Sequence, residues 1–344
     1  MFFKNLKPNQ AYLILDDKTR FYFTGLNSTA GHLFLSSNGK TLYIDSRYYY
    51  HAKDFLSGKV VVNLLKTTDA VFNEVLNSGV DELFIDYNLV SVSEYKKLLP
   101  YGFKVSDGSS VLQQTMSVKT DDELNCIQKA CDIAYEAFTK TLPYIKTGVT
   151  EAYVKSILED NMRSLGASGT SFDTIVAFGK NAGVPHHETS NTVLRDNECV
   201  LMDFGCIYKN YCSDITRTMF NGVPSDKFLS AYDAVLNANL VAEDGIYSGI
   251  SGVDADKFAR DLLKDNGLGD YFTHSLGHGI GLNVHEAPTL SPKSNNILTD
   301  NMVFSIEPGV YFDGEFGIRI EDTVVLKDGK VKKMFNDDKK LIIL

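Results

Sequence analysis

At 344 residues the chain is long enough for two domains of roughly 150 residues each, and 44% hydrophobic with 23% charged residues is a globular composition that excludes disordered and collagen-like chains. The 44 Asp and Glu outnumber the 34 Lys and Arg, for a formal net charge of −10. That balance argues against a nucleic-acid surface and supplies the hard oxygen ligands that divalent cations prefer. No run approaches the roughly 18 apolar residues that span a bilayer, so no membrane partner is expected. The first eight residues lack the apolar core of a signal peptide, and five cysteines without a Cys-x-x-Cys pair do not suggest a disulfide framework. These features predict a cytoplasmic protein.

Residues 11–110 read as alternating strands and helices. Apolar runs at 33–35 and 41–44 flank Ser37-Asn38-Gly39, a hairpin signal. Further strands are predicted at 60–62 and 83–85, and helical patterns at 69–77 and 91–99. The polar stretch 106–110 reads as the end of this small α/β domain, and the boundary is set at 1–115 against 116–344. Thr120-Asp121-Asp122-Glu123 has the form of a capping box, and Leu124, Ile127, Cys131, Ala134 and Phe138 recur at helical spacing. A second helix runs from about 150 to a stop at Gly166. Two more follow at 226–242 and 252–266. Each half of this larger domain therefore offers two helices, a histidine-bearing loop and a hairpin with two carboxylates, an internal repeat of pattern without sequence identity.

The carboxylates carry the first chemical signal. Residues 200–205 and 215–219 read as two strands of a hairpin, and a turn centred on Tyr208-Lys209 would set Asp203 directly opposite Asp214. Opposed acids repel unless a cation lies between them, and an unpaired charge within an apolar run is costly. In the second hairpin Glu307 and Glu321 are symmetric about Gly314, with Arg319 on the face of Glu321 and Ile318 and Ile320 on the other. Between the hairpins, three glycines within five residues argue against a helix at His278 and suggest a glycine-rich loop that presents an imidazole. One nitrogen and four carboxylates suit two divalent ions such as Mn²⁺, Co²⁺ or Zn²⁺, which can activate water for hydrolysis of an amide or ester.

Asp203-Phe204-Gly205, Ser213-Asp214-Ile215-Thr216-Arg217-Thr218, Gly277-His278-Gly279-Ile280-Gly281, His285-Glu286-Ala287-Pro288, Ile306-Glu307-Pro308-Gly309 and Gly317-Ile318-Arg319-Ile320-Glu321-Asp322 occur in an order that resembles the pita-bread-fold metallopeptidases. That group includes methionine aminopeptidase, aminopeptidase P, prolidase and the metal-free creatinase. Tyr22-Phe23-Thr24-Gly25-Leu26 and Asp45-Ser46-Arg47-Tyr48-Tyr49 resemble the creatinase-type N-terminal domain, which points within the group to the Xaa-Pro peptidases. The resemblance implies an α/β two-domain protein, with a small N-terminal domain and an α+β pita-bread catalytic domain. It implies that Asp203, Asp214, His278, Glu307 and Glu321 hold two metal ions, and that Glu307 moves a proton from the attacking water to the leaving nitrogen. By the same resemblance His186 and His285 stabilise the developing oxyanion, Arg319 orients the metal-binding network, and His274 lines the proline site. The implied substrate is a proline-containing peptide and the implied assembly a homodimer.

Prolidases that hold a dipeptide's carboxylate place an arginine shortly after the His-Glu-x-Pro segment, whereas Thr289 stands here. That departure favours aminopeptidase P over Xaa-Pro dipeptidase, with Arg47, Lys293 or a partner-subunit group as substitutes for the missing cation. A non-catalytic scaffold, or a metal-free creatinase-like hydrolase, would lack some of the five ligand positions. His51 and His187 read as structural or exposed, Tyr48-Tyr49-Tyr50 as packing or interface, and Cys212 as a residue that strand parity could turn toward Asp214.

Overall fold

The computed structural model describes residues 2–344, and the chain divides into two compact units, the first ending at Met116 and the second running from Ser117 to Leu344.

The first unit is a six-stranded sheet in the order β4-β3-β2-β1-β5-β6. Its strands are β1 (Gln10–Ile14), β2 (His32–Ser36), β3 (Gly39–Ile44), β4 (Val61–Leu64), β5 (Glu82–Ile85) and β6 (Lys104–Asp107). Helices α1 (Asp17–Thr24), α2 (Tyr49–Phe55), α3 (Thr68–Asn77), α4 (Val92–Leu98) and α5 (Ser109–Ser117) accompany it. Alternate residues feed two cores: Tyr12, Ile14, Leu33, Leu35, Leu42 and Ile44 enter one, and Ala11, Leu13, Phe34, Tyr43, Leu83 and Ile85 the other. A sheet buried on both faces needs apolar residues at every position, which is why β1 carries no polar alternation. In the β2–β3 hairpin Ser36 pairs with Gly39, so Ser37-Asn38 form the turn. The polar stretch 106–110 is not a domain end: it closes β6 and opens α5.

The second unit begins with α6 (Asp121–Thr141) and α7 (Glu151–Ser164). Thr120 and Glu123 form the anticipated capping box, and Leu124, Ile127, Cys131, Ala134 and Phe138 are buried. Strands β7 (Gly169–Thr170), β8 (Ile175–Phe178), β9 (Glu198–Phe204), β10 (Cys206–Tyr208), β11 (Tyr211–Cys212) and β12 (Ile215–Asn221) follow, with β9 central in the antiparallel sheet β12-β9-β8. The pattern recurs with α8 (Asp226–Gly245) and α9 (Gly252–Asp265), then β13 (Gly277–Gly279), β14 (Glu286–Leu290), β15 (Val303–Ile306), β16 (Gly309–Phe312), β17 (Phe316–Arg319), β18 (Asp322–Lys327) and β19 (Lys330–Lys333). The second sheet has the order β14-β13-β15-β18-β19, and β16-β17 form a separate hairpin.

The turn between Asp203 and Asp214 sits one residue later than expected, which shifts the pairing by two. Tyr208 pairs with Tyr211, which centres the turn on Lys209-Asn210. Both central residues have positive φ, 48° and 73°, as a two-residue type I′ turn requires. Asp203 therefore faces Thr216, and Asp214 lies just before β12 on the diagonal. In the second hairpin the register of β16–β17, Gly309 opposite Arg319, continues in β15–β18, Ile306 opposite Asp322. Extrapolated across the intervening residues, it places Glu307 opposite Glu321, as read. His278 sits not in a loop but in β13, between β14 and β15. A Cβ on Gly277 would lie 2.0 Å from Ser305 O and one on Gly279 2.2 Å from Ala287 O. The glycines thus let this short strand pass close to both neighbours.

Candidate metal centre and catalytic cavity

The two ladders meet edge to edge. Glu321 forms an isolated bridge with Thr216, its N–H donating to Thr216 O at 3.1 Å. Thr323 Oγ1 donates to Asp214 O at 2.6 Å, and Asp214 N donates back to Thr323 Oγ1. Four acids from four chain segments are thereby carried on one continuous backbone frame.

All nine sequence-predicted residues line one cavity of about 670 Å³: His186, Asp203, Asp214, His274, His278, His285, Glu307, Arg319 and Glu321. Ligand atoms of Asp214, His278 and Glu321 lie within 4.8 Å of one another. His278 Nε2 is 3.3 Å from Glu307 Oε1 and 3.7 Å from Asp214 Oδ2. Its backbone N–H donates to Ser305 Oγ, which donates to Glu307 Oε1. The His278 and His285 rings are 4.1 Å apart. His186 is exposed at the cavity wall, in the loop after β8.

Arg319 is buried and fully engaged. Its Nη2 donates to Asp203 Oδ2 at 2.6 Å, Nε to Thr216 Oγ1 at 3.0 Å and Nη1 to the Tyr311 hydroxyl at 2.6 Å. Thr216 Oγ1 in turn donates to Glu321 Oε2 at 2.6 Å. The Tyr311 hydroxyl also bonds His274 Nε2 at 2.9 Å.

Three carboxylate oxygens of this cluster, Asp203 Oδ1, Asp214 Oδ1 and Glu321 Oε1, are buried with no hydrogen-bond donor among the described residues. Burial raises the pKa of Asp214 well above the usual range, and the charges of Glu321, Asp203 and Glu307 add to it. Burial does the same to Glu321, reinforced by Glu307 and Asp203. Glu307 is pushed up to about 8 by burial, with Asp203 adding to the shift against the pull of Arg319. Burial lowers His278 to about 4, helped by His285, and lowers His274 to about 4, helped by Arg319. Both rings are therefore neutral at pH 7, as a ligating imidazole must be. Orphaned buried oxygens, crowded acids that resist joint ionisation and a neutral imidazole fit bound divalent cations, whose charge would relieve each strain.

Four contributors were not anticipated. Thr216 relays a hydrogen bond from Arg319 to Glu321, and Ser305 one from the His278 backbone N–H to Glu307; their only signal was a place beside the acids in the motifs. Tyr311, which links Arg319 to His274, is hidden in an apolar strand run. Lys155, on α7, lines the cavity beside Phe172, Asp173 and Ile175, and its polar helix face gave no hint. Cys212 does not line the cavity: its thiol points to Leu282 O at 3.7 Å. His187 also lines the cavity, its ring bonded to Glu151 at 2.9 Å. Tyr48 and Tyr49 pack against the first unit's core, whereas Tyr50 is exposed. Arg47 forks onto Asp45, and Lys293 is exposed after β14.

The profile of metallopeptidase family M24 matches residues 125–328, and that of the creatinase/prolidase N-terminal domain matches residues 7–114. An Xaa-Pro dipeptidase of Pyrococcus furiosus is 33% identical over 94% of this chain and 92% of its own length. The solved structure of an Xaa-Pro dipeptidase from Bacillus anthracis superposes with a TM-score of 0.93 at 36% identity, covering 97% of this chain and 95% of that one. That of an X-Pro aminopeptidase from Thermotoga maritima gives 0.89 at 33% identity, covering 97% and 95%.

Proposed function

This chain belongs to metallopeptidase family M24, and on that premise we propose that it hydrolyses the Xaa-Pro bond at the N-terminus of peptides, as an Xaa-Pro aminopeptidase. The observation that carries this reading is the convergence of Asp203, Asp214, Glu307 and Glu321 with His186, His274, His278, His285 and Arg319 on one cavity that holds three orphaned carboxylate oxygens. Asp203, Asp214, His278, Glu307 and Glu321 would hold two divalent ions, Mn²⁺ first among the candidates and Co²⁺ or Zn²⁺ the alternatives. When bound, such ions acidify a water and polarise the substrate carbonyl.

The remaining steps belong to the chain itself. Glu307 takes a proton from the attacking water and delivers it to the leaving nitrogen. His186 and His285 donate N–H groups to the carbonyl oxygen as charge develops there. Arg319 fixes Asp203 directly and Glu321 through Thr216. His274, held by Tyr311, borders the place of the proline ring. Proline has no amide N–H to satisfy, so a wall of imidazoles and apolar side chains such as Phe172 and Ile175 can receive it without a backbone acceptor. A cytoplasmic homodimer is part of the same proposal.

The second reading is an Xaa-Pro dipeptidase, and Lys155 favours it. Among the described residues, Lys155 and Arg319 are the lysine and arginine that line the cavity. Arg319 is engaged by Asp203 and Tyr311 at 2.6 Å each, whereas Lys155 has only a 4.0 Å contact with Glu159 to give up on meeting a terminal carboxylate. Metal-stripped enzyme assayed on Xaa-Pro and Xaa-Pro-Yaa, with and without Mn²⁺, separates the readings. Cleavage of the tripeptide alone supports the aminopeptidase; cleavage of the dipeptide alone, with KM raised by K155M, supports the dipeptidase. No metal-dependent cleavage of either overturns both.

A further inference from the structure

Behind the acids, on the side away from the cavity, lies a second charged cluster that the chemistry above does not use. Its centre is Lys339, in the polar stretch Asn336-Asp337-Asp338-Lys339-Lys340. Lys340 pairs with Asp338 at the surface. Lys339 is 2% exposed and has φ of 56°, a left-handed backbone that costs a non-glycine residue energy. The Tyr232 hydroxyl donates to its carbonyl at 2.9 Å. Its ammonium reaches Asp322 Oδ2 at 2.5 Å, Glu243 Oε1 at 2.7 Å and Asn239 Oδ1 at 2.5 Å.

Asn239, on α8, is fully buried. With its oxygen held by Lys339, its amide nitrogen can only donate. It does so to Ile306 O at 2.9 Å and to Ile320 O at 3.1 Å. These carbonyls belong to the residues immediately before Glu307 and Glu321. Asp322, the residue immediately after Glu321, is gripped from the other side by Arg217 Nη2 at 2.6 Å. One ammonium thus fixes, through one amide, the backbone entering both glutamates, and directly the side chain that follows the second.

We propose that Lys339 and Asn239 are positioning residues for the metal centre, setting the separation of Glu307 and Glu321 from outside the cavity. The inference rests on the metallopeptidase reading but not on substrate identity. An unoriented Asn239 amide could turn its oxygen toward the two carbonyls, and the two strands would then part. Outer partners of metal ligands commonly govern affinity about 10–100-fold.

The test is Mn²⁺ binding to metal-stripped full-length protein, followed by the electron paramagnetic resonance signal of free Mn²⁺, for wild type, N239A, K339M and K339R. The expected result is at least tenfold weaker binding in N239A and K339M, with partial recovery in K339R, while circular dichroism and gel-filtration volume match wild type. If K339M does not fold, N239A decides alone, since it leaves the ion pairs intact. Lower thermal stability with unchanged Mn²⁺ affinity in N239A would mean a purely structural cluster and overturn the inference. Failure of the wild type itself to bind Mn²⁺ would overturn the metallopeptidase reading as well.

Discussion

Replacing Glu151 with glutamine tests whether the His186 loop is held by one buried charge. Glu151 opens α7 and has no solvent exposure. Its Oε1 accepts from Phe178 N at 2.9 Å and Asn181 Nδ2 at 2.8 Å. Its Oε2 accepts from Ser190 N at 2.9 Å, Ser190 Oγ at 2.6 Å and His187 Nε2 at 2.9 Å. These five donors staple the segment 178–190, with His186 in its middle. Glutamine has the same shape, but whichever way its amide lies, the NH₂ must face the Phe178 or the Ser190 backbone N–H. One buried donor is then left unsatisfied, at a cost of about 1–3 kcal/mol, and the remaining bonds lose charge assistance worth about 1 kcal/mol each. Removal of a buried charge returns part of its desolvation cost, so the net loss is about 2–3 kcal/mol. Urea unfolding should show this loss, and kcat/KM on an Xaa-Pro peptide should fall about 10–100-fold with metal content unchanged. Stability within about 0.5 kcal/mol of wild type, or unaltered kcat/KM, would refute the staple.

Three further outcomes are expected. E307Q should lower kcat about 10²–10⁴-fold, with metal content measured alongside; turnover near wild type would remove Glu307 from proton transfer. Mn²⁺ binding at pH 7 should release at least one proton, because Glu307 holds one up to about pH 8; calorimetry in two buffers of different ionisation enthalpy reads the number, and zero release refutes the crowding argument. The metal-free protein should gain stability as pH falls from 8 to 6.5. There an unfolded glutamate, with pKa near 4.3, is already ionised while folded Glu307 takes up its proton, a gain of about 2 kcal/mol. Below 6.5 the trend is opposed by His274 and His278, held neutral down to about 4. Urea midpoints that are flat or falling across that window contradict the assignment.

Legibility in the sequence followed the range of the interaction. Helices α6 and α7 were readable because their caps, Thr120 and Thr150, act within three residues. The Glu307–Glu321 register was readable because Asp313-Gly314 marks its turn. The Asp203 partner was misread by two residues and its turn by one, since Lys and Asn at positive φ are weaker turn signals than Asn-Gly. Strand β1 went unnamed because burial on both faces erases alternation. Glu151 and Lys339 went unnamed. Their partners lie 27–39 and 17–100 residues away, a pairing that only the folded chain brings about.

The bridge between Thr216 and Glu321 has a consequence for metal choice. Because the two ladders are joined at their backbones and strapped by the Arg319 guanidinium, the acids cannot spread or contract freely around whatever ion arrives. Ions of similar charge but different radius would then be sorted by how well they match an aperture of set width. A donor set of carboxylates and one imidazole accepts several first-row metals, and by ligand type alone it ranks them only in their common order of intrinsic affinity. Discrimination among them therefore falls to the stiffness of the frame. Loosening the strap with R319K should broaden the range of ions that support turnover before it abolishes binding of any one.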